Sequence, residues 1–133
     1  MDEILFRGKD QKHEWVEGFA NNVFFRHEIT RKPILRYFMA CDCMGNYFST
    51  IVYEETIVQY TGTSDKNHKK IFECDIVRAY KHNEEPFVAV VTKRNGCFWF
   101  GNWNWCEFLD KFRNYEVIGN VFDNPELLKG GAE

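Results

Sequence analysis

No stretch of this 133-residue chain approaches the roughly 20 consecutive apolar residues that a membrane-spanning helix needs. The opening, MDEILFRGKD, also lacks the apolar segment of a secretory signal peptide. Both absences point to a cytoplasmic protein with no membrane partner. A basic surplus is missing too: 17 Lys and Arg stand against 20 Asp and Glu, for a net charge of −3. A general DNA-coating protein draws its affinity from neutralising phosphates, so this balance argues against that class. The acidic excess is equally far too small for a DNA mimic. Five cysteines, an odd number without regular spacing, make no disulfide framework and fit reduced thiols. Internal repeats and low-complexity segments are absent.

The motifs that carry chemistry are scarce as well. Neither a Gly-x-Ser-x-Gly nucleophile elbow nor a phosphate-binding loop is present. Cys41-x-Cys43 places two thiolates on one strand face, but no second pair with ligand spacing completes a zinc site. His13, His27, His68 and His82 fall in polar stretches with no candidate nucleophile beside them. The acidic pairs Glu54-Glu55 and Glu84-Glu85 read as solvated, because adjacent strand carboxylates point apart. The expectation is therefore no catalytic residue, no metal and no cofactor. A Cys–His site assembled in space is the enzymatic alternative.

Aromatic residues are what the chain has in excess: 17%, with 13 Phe. Rings suit pleated, half-buried surfaces, so the composition favours β structure. The runs EILFR and EWVEGFA read as short strands. PILRYFMAC and NYFSTIVY, parted by residues 42–46, read as a hairpin. Residues 60–70, YTGTSDKNHKK, read as a polar loop in which Asp65 makes an Asx-turn. DIVRAYK and FVAVVTKR follow as strands around the loop HNEEP, and YEVIGNVF is a last strand. NPELLKGG predicts a one-turn helix capped by Asn124, with Pro125 in its first position.

The strongest local signal is KRNGCF. Asn95-Gly96 between apolar runs is the preferred chemistry of a type I′ hairpin turn. It sets Arg94 opposite Cys97, Lys93 opposite Phe98, Thr92 opposite Trp99 and Val91 opposite Phe100. One face then carries Phe87, Ala89, Val91, Phe98 and Phe100, a core face; the other carries Thr92, Arg94, Cys97 and Trp99. The stretch CFWFGNWNWCEF holds six aromatic residues in twelve. Trp105, Phe108, Leu109 and Phe112 recur at helical spacing, which predicts a helix over 105–113. Asn104 is a good N-cap and Glu107 completes a capping box, with Trp103 and Phe108 spaced as a hydrophobic staple. Only Trp99 is left facing outward, near Arg94.

Three stretches in order, EILFRGKDQKHEWVEGF, VQYTGTSDKNHKKIFECDIV and YEVIGNVFDNPELL, resemble the YopX family of phage and prophage proteins. The family pattern falls on Phe6, Arg7, Asp10, Trp15 and Val16, then on residues 59–62, 65–67, Ile71, Glu73 and 75–77. It ends on residues 116–120 and 124–127. Where the family has glycine, this chain has His68 and Cys74, at positions that suggest tight turns with positive φ. The resemblance implies a β-rich chain with an SH3-like, partly open barrel in its second half, and an origin in a phage or prophage inside a bacterial cell. It implies no activity.

The expected architecture is β-rich α+β, with an N-terminal β layer over 1–56 packed against a barrel lobe over 57–133 as one compact unit. The expected function is recognition by a non-enzymatic module whose partner is a host or phage protein. The expected contact surface comprises Trp99, Arg94 and Thr92 with Tyr60, Asp65, Lys66, Lys69 and Lys70. A homo-oligomer contact and a nucleic-acid patch built from the same lysines are the alternatives.

Overall fold

The structure is a computed structural model that describes residues 4–19, 23–25, 35–41, 44–82 and 84–128. His27, Asp42, Cys43 and the tail after residue 128 lie outside the described residues. The chain divides into two units, Met1–Tyr60 and Thr61–Glu133.

In the first unit, β1 (Leu5–Lys9) and β2 (Trp15–Phe19) form an antiparallel hairpin. Its turn is closed by the Asp10 carboxylate, which accepts from the backbone N–H of Lys12 and of Glu14. β3 (Val23–Phe25), β4 (Leu35–Cys41) and β5 (Tyr47–Tyr53) follow. β5 runs the full length of one edge of β4, from Leu35 opposite Tyr53 to Cys41 opposite Tyr47. The other edge of β4 is shared by β3 and β2. The hairpin expected over 33–53 is therefore present. Phe38, Ala40 and Val52 form the buried centre, flanked by Phe6, Val16 and Ile57.

β6 (Val58–Ser64) starts in the first unit, where Val58 and Gln59 pair with β1, and ends in the second, where it neighbours β7 (Lys70–Phe72). The polar loop expected over 60–70 is thus shorter, reduced to residues 65–69. Threonines account for the difference. Thr61 and Thr63 suit a strand, and the Thr61 hydroxyl donates to the Ile71 carbonyl across the hairpin at 2.8 Å.

The rest of the second unit is an antiparallel five-stranded sheet in the order β11-β10-β9-β8-β12. Its strands are β8 (Asp75–Tyr80), β9 (Phe87–Arg94), β10 (Cys97–Phe100), β11 (Trp103–Asn104) and β12 (Arg113–Asn120). The sheet is open: among the described residues no ladder joins β11 to β12. The β9–β10 register is the one Asn95-Gly96 dictates, with Thr92 opposite Trp99 and Val91 opposite Phe100. Both turn residues have positive φ, 53° and 80°.

Helix α1 (Trp105–Lys111) starts at the expected capping box: the Asn104 side chain accepts from the Glu107 N–H, and the Glu107 carboxylate accepts from the Asn104 N–H. The helix ends two residues short of expectation, and Arg113 already belongs to β12. Leu109, expected on the buried face, is 41% exposed. A helix of seven residues buries a narrow stripe, here centred on Phe108, and Leu109 falls beside it. Phe108 and Phe112 are buried with Phe100, whose ring lies 4.6 Å from Phe108 and 5.2 Å from Phe112. Trp103 packs on Phe112, Phe87 and Phe100, and Trp105 on Phe108 and Phe98. Gly101 takes φ +57°, and a Cβ there would sit a tight 3.2 Å from that of Ala89. The C-terminal one-turn helix is a 3-10 turn, Pro125–Leu128.

Candidate functional site

The outward face of the β9–β10 hairpin is assembled by the type I′ turn. It sets Arg94 close to Trp99, and the guanidinium carbon lies 4.3 Å from the centre of the Trp99 ring, a cation–π contact. Arg94 Nη2 also donates to the Gly101 carbonyl at 3.2 Å, which fixes the side chain over the ring. Trp99 is half-buried, and its Nε1–H is buried without an acceptor among the described residues. Thr92 sits directly across from it.

The second set of expected contact residues is built around Asp65. Its carboxylate is buried and fully engaged. Oδ1 accepts from Asn67 N–H at 2.8 Å and Lys69 N–H at 2.9 Å, and Oδ2 accepts from Val117 N–H at 2.9 Å. Asp65 is thus the clamp that ties the loop to β12, not a group presented to solvent. Lys66, Lys69 and Lys70 are exposed around it, and Tyr60 is half-buried in β6. Lys66 Nζ lies 3.8 Å from the Glu116 carboxylate. That carboxylate also accepts from Arg78 at 2.8 Å. The Arg78 hydrogen bond, opposed by some desolvation and helped by the charge of Lys66, holds Glu116 below its ordinary pKa of 4.5. The lysine loop is thus partly neutralised, which weakens it as an anion patch. The structure brings Thr92, Arg94 and Trp99 together as one set; Asp65 and Lys66 belong to a separate set with Asn67, Arg78 and Glu116.

The remaining candidates are scattered. Cys97 and Cys106 are exposed free thiols, and Cys41 and Cys74 are half-buried ones. Among the described residues no three His, Cys, Asp or Glu side chains converge as a metal site. His13 stacks on Tyr53 with ring centres 5.6 Å apart. His68 and Cys74 keep positive φ, 65° and 74°, so the turns are built as glycine would build them. A side chain in this region costs about 1–2 kcal/mol, partly offset by the greater chain entropy glycine has when unfolded. Exposed His68 is the cleaner test: His68→Gly is expected to stabilise the protein by about 0.5–1 kcal/mol, read as a higher urea midpoint at unchanged slope. An equal or lower midpoint would mean that the imidazole makes a compensating contact.

Two features went unseen in the sequence. One is the Arg78–Glu116 pair, formed only because β8 and β12 align these residues. The other is a cleft of about 500 Å³ between the end of β8 and the end of α1. The signal for both was the strand pairing, which residue patterns do not carry across 38 positions.

With the geometry in place, comparison with known proteins decides the family. The model of the YopX protein family matches residues 5–129. The chain belongs to the YopX family. No curated protein matches it. A similar solved structure is the crystal structure of protein EF1440 from Enterococcus faecalis, 26% identical over 96% of this chain and 99% of that one, with a TM-score of 0.54. Three YopX-pattern residues in this chain serve the backbone. Asp65 clamps its loop, Asp75 Oδ2 accepts from Phe72 N–H at 2.7 Å, and Asn120 Oδ1 accepts from the N–H of Phe122 and of Asp123. Among the described residues, no helix is long and apolar enough to cross a membrane.

Proposed function

We propose that this YopX-family protein is a non-enzymatic recognition module of phage or prophage origin. It works in the bacterial cytoplasm and docks a host or phage protein through the hairpin face of Thr92, Arg94 and Trp99, with the exposed lysines of the 65–69 loop region as a secondary contact. We read its second unit as a partly open, SH3-like scaffold, a reading supported by the antiparallel meander β8 to β11, to which β12 returns beside β8, with α1 packed on the core.

The observation that carries the reading is the Arg94–Trp99 pair. Trp and Arg are the residue types that dominate binding free energy at interfaces. Here they are held in one arrangement by a rigid turn, so little side-chain freedom is lost on docking. Family-pattern residues fit a division of labour: Asp65, Asp75 and Asn120 hold turns and loops, whereas Thr92, Arg94 and Trp99 lie outside the pattern.

Trp99→Ala tests this. Removing a half-buried ring on the outward face and its cation–π contact is expected to cost only about 1 kcal/mol of stability. The same change is expected to weaken partner capture from bacterial lysate at least about tenfold, a hot-spot loss. Unfolding would make Trp99 a core residue; unchanged capture would place the contact elsewhere. Native mass spectrometry of the purified protein separates the homo-oligomer alternative, which predicts a closed assembly that Trp99→Ala dissociates.

A further inference from the structure

We infer that the cleft at the C-terminal end of α1 binds the phosphodiester backbone of a single-stranded nucleic acid. It shares no residue with the hairpin face. The cleft, about 500 Å³, is lined by Tyr80, Lys81, His82, Lys111, Arg113 and Asn114. Three of these are permanent cations, a fourth is an imidazole, and none is a carboxylate. A chain of net charge −3 has therefore concentrated positive charge in one concave place. Concave walls of low dielectric focus such a field and draw in anions.

These cations are not spent on internal ion pairs. Among the described residues, Lys81, Lys111 and Arg113 have no acidic partner. Lys81 is steadied by rings instead, its ammonium 5.9 Å from the centre of Phe87 and 5.7 Å from that of Trp103. Arg113 Nη1 donates to the carbonyls of Asp110 and Phe112, each at 3.0 Å. Those carbonyls are the negative end of α1 and would otherwise repel a phosphate. Capping them leaves the remaining guanidinium nitrogens for a ligand.

The local fold places the groups. Arg113 pairs with Tyr80, which sets Lys81 and His82 beside the end of the helix. A bulge then interrupts the ladder between Arg113 and Glu116, with Asn114 at φ 55°. Bulges of this kind bend a strand and re-aim its side chains.

A chain ligand fits better than a lone anion. Arg113 and Asn114 also line a second cavity of about 460 Å³, which adds Ser64 and Lys66, the latter partly neutralised by Glu116. The path is thus longer than one phosphate needs. A groove of cations that tracks successive phosphates is the electrostatic component of single-strand binding. Asp110, in the second cavity, is the one exposed carboxylate on the path.

The test is fluorescence anisotropy with a labelled oligo-dT of about twelve nucleotides across a salt series. The unmodified protein is expected to bind at low salt. Lys111→Glu is expected to weaken binding at least about tenfold, and Lys111→Gln to lower the salt slope by about one. Lys111 is exposed and unpaired, so Lys111→Gln should melt close to the parent, and Lys111→Glu, an anion at the negative end of α1, slightly below it. Lys12→Glu, the same charge change at an exposed position of the first unit, is expected to shift affinity by less than about twofold. The inference is overturned by absence of salt-dependent binding, by equal losses in Lys111→Glu and Lys12→Glu, or by inorganic phosphate competing as well as the oligonucleotide at equal phosphate concentration.

Discussion

Asp65→Ala is expected to destabilise the protein by about 3–5 kcal/mol, because three hydrogen bonds to an ionised acceptor disappear at once. Two of the donors, Asn67 N–H and Lys69 N–H, sit in an exposed loop and can turn to water. The third, Val117 N–H, belongs to a buried residue of β12 and is left without an acceptor. Leaving a buried donor unpaired accounts for about 1–3 kcal/mol of the loss. Asp65→Asn should recover part of it. The amide keeps one oxygen, which can satisfy the loop donors or Val117 but not both, since its nitrogen only donates. Chemical denaturation of the parent and both variants orders them parent, Asn, Ala. Equal midpoints for Asp65→Ala and the parent would show that the clamp contributes nothing.

The second large effect lies in the aromatic stretch. Phe100→Ala is expected to cost about 3–5 kcal/mol, the range for deleting a fully buried phenyl ring with its cavity left behind. Phe100 has no exposed surface and meets Phe108, Phe112 and Trp103. Its neighbour Trp99 points the other way and should cost far less on truncation. One residue of sequence separation thus divides a core position from a surface one, because strand side chains alternate. Thermal melts read both, and similar losses at the two positions would contradict the alternation drawn here.

Much of this was legible in the sequence because it was written locally. Asn95-Gly96 fixed four residue pairs of β9–β10, since a two-residue turn leaves no freedom of register. Asn104 and Glu107 marked the start of α1 because a capping box needs only four consecutive residues. Elsewhere local pattern and tertiary context disagree. Residues 60–64 look like a loop, being polar and containing Gly62, yet threonine and tyrosine hold a strand once a neighbour is there to pair with. Leu109 completes a helical stripe on paper, but a seven-residue helix buries only the middle of it.

The candidate site divides in the same way. Arg94 against Trp99 follows from the turn and was readable. The role of Asp65 was half readable: the Asx-turn is a local motif, whereas its bond to Val117 spans 52 residues. The Arg78–Glu116 pair and the cationic cleft depend on how β12 aligns with β8. A bulged ladder of that kind has no sequence signature to announce its register.

The most direct measurement of the proposed function is site-specific photo-crosslinking from position 92, facing Trp99, in bacterial lysate. A defined protein adduct is expected from position 92 that Trp99→Ala abolishes, and no such adduct from position 12 in the first unit. An adduct that survives Trp99→Ala, or that forms equally from position 12, would contradict the hairpin face as the recognition surface.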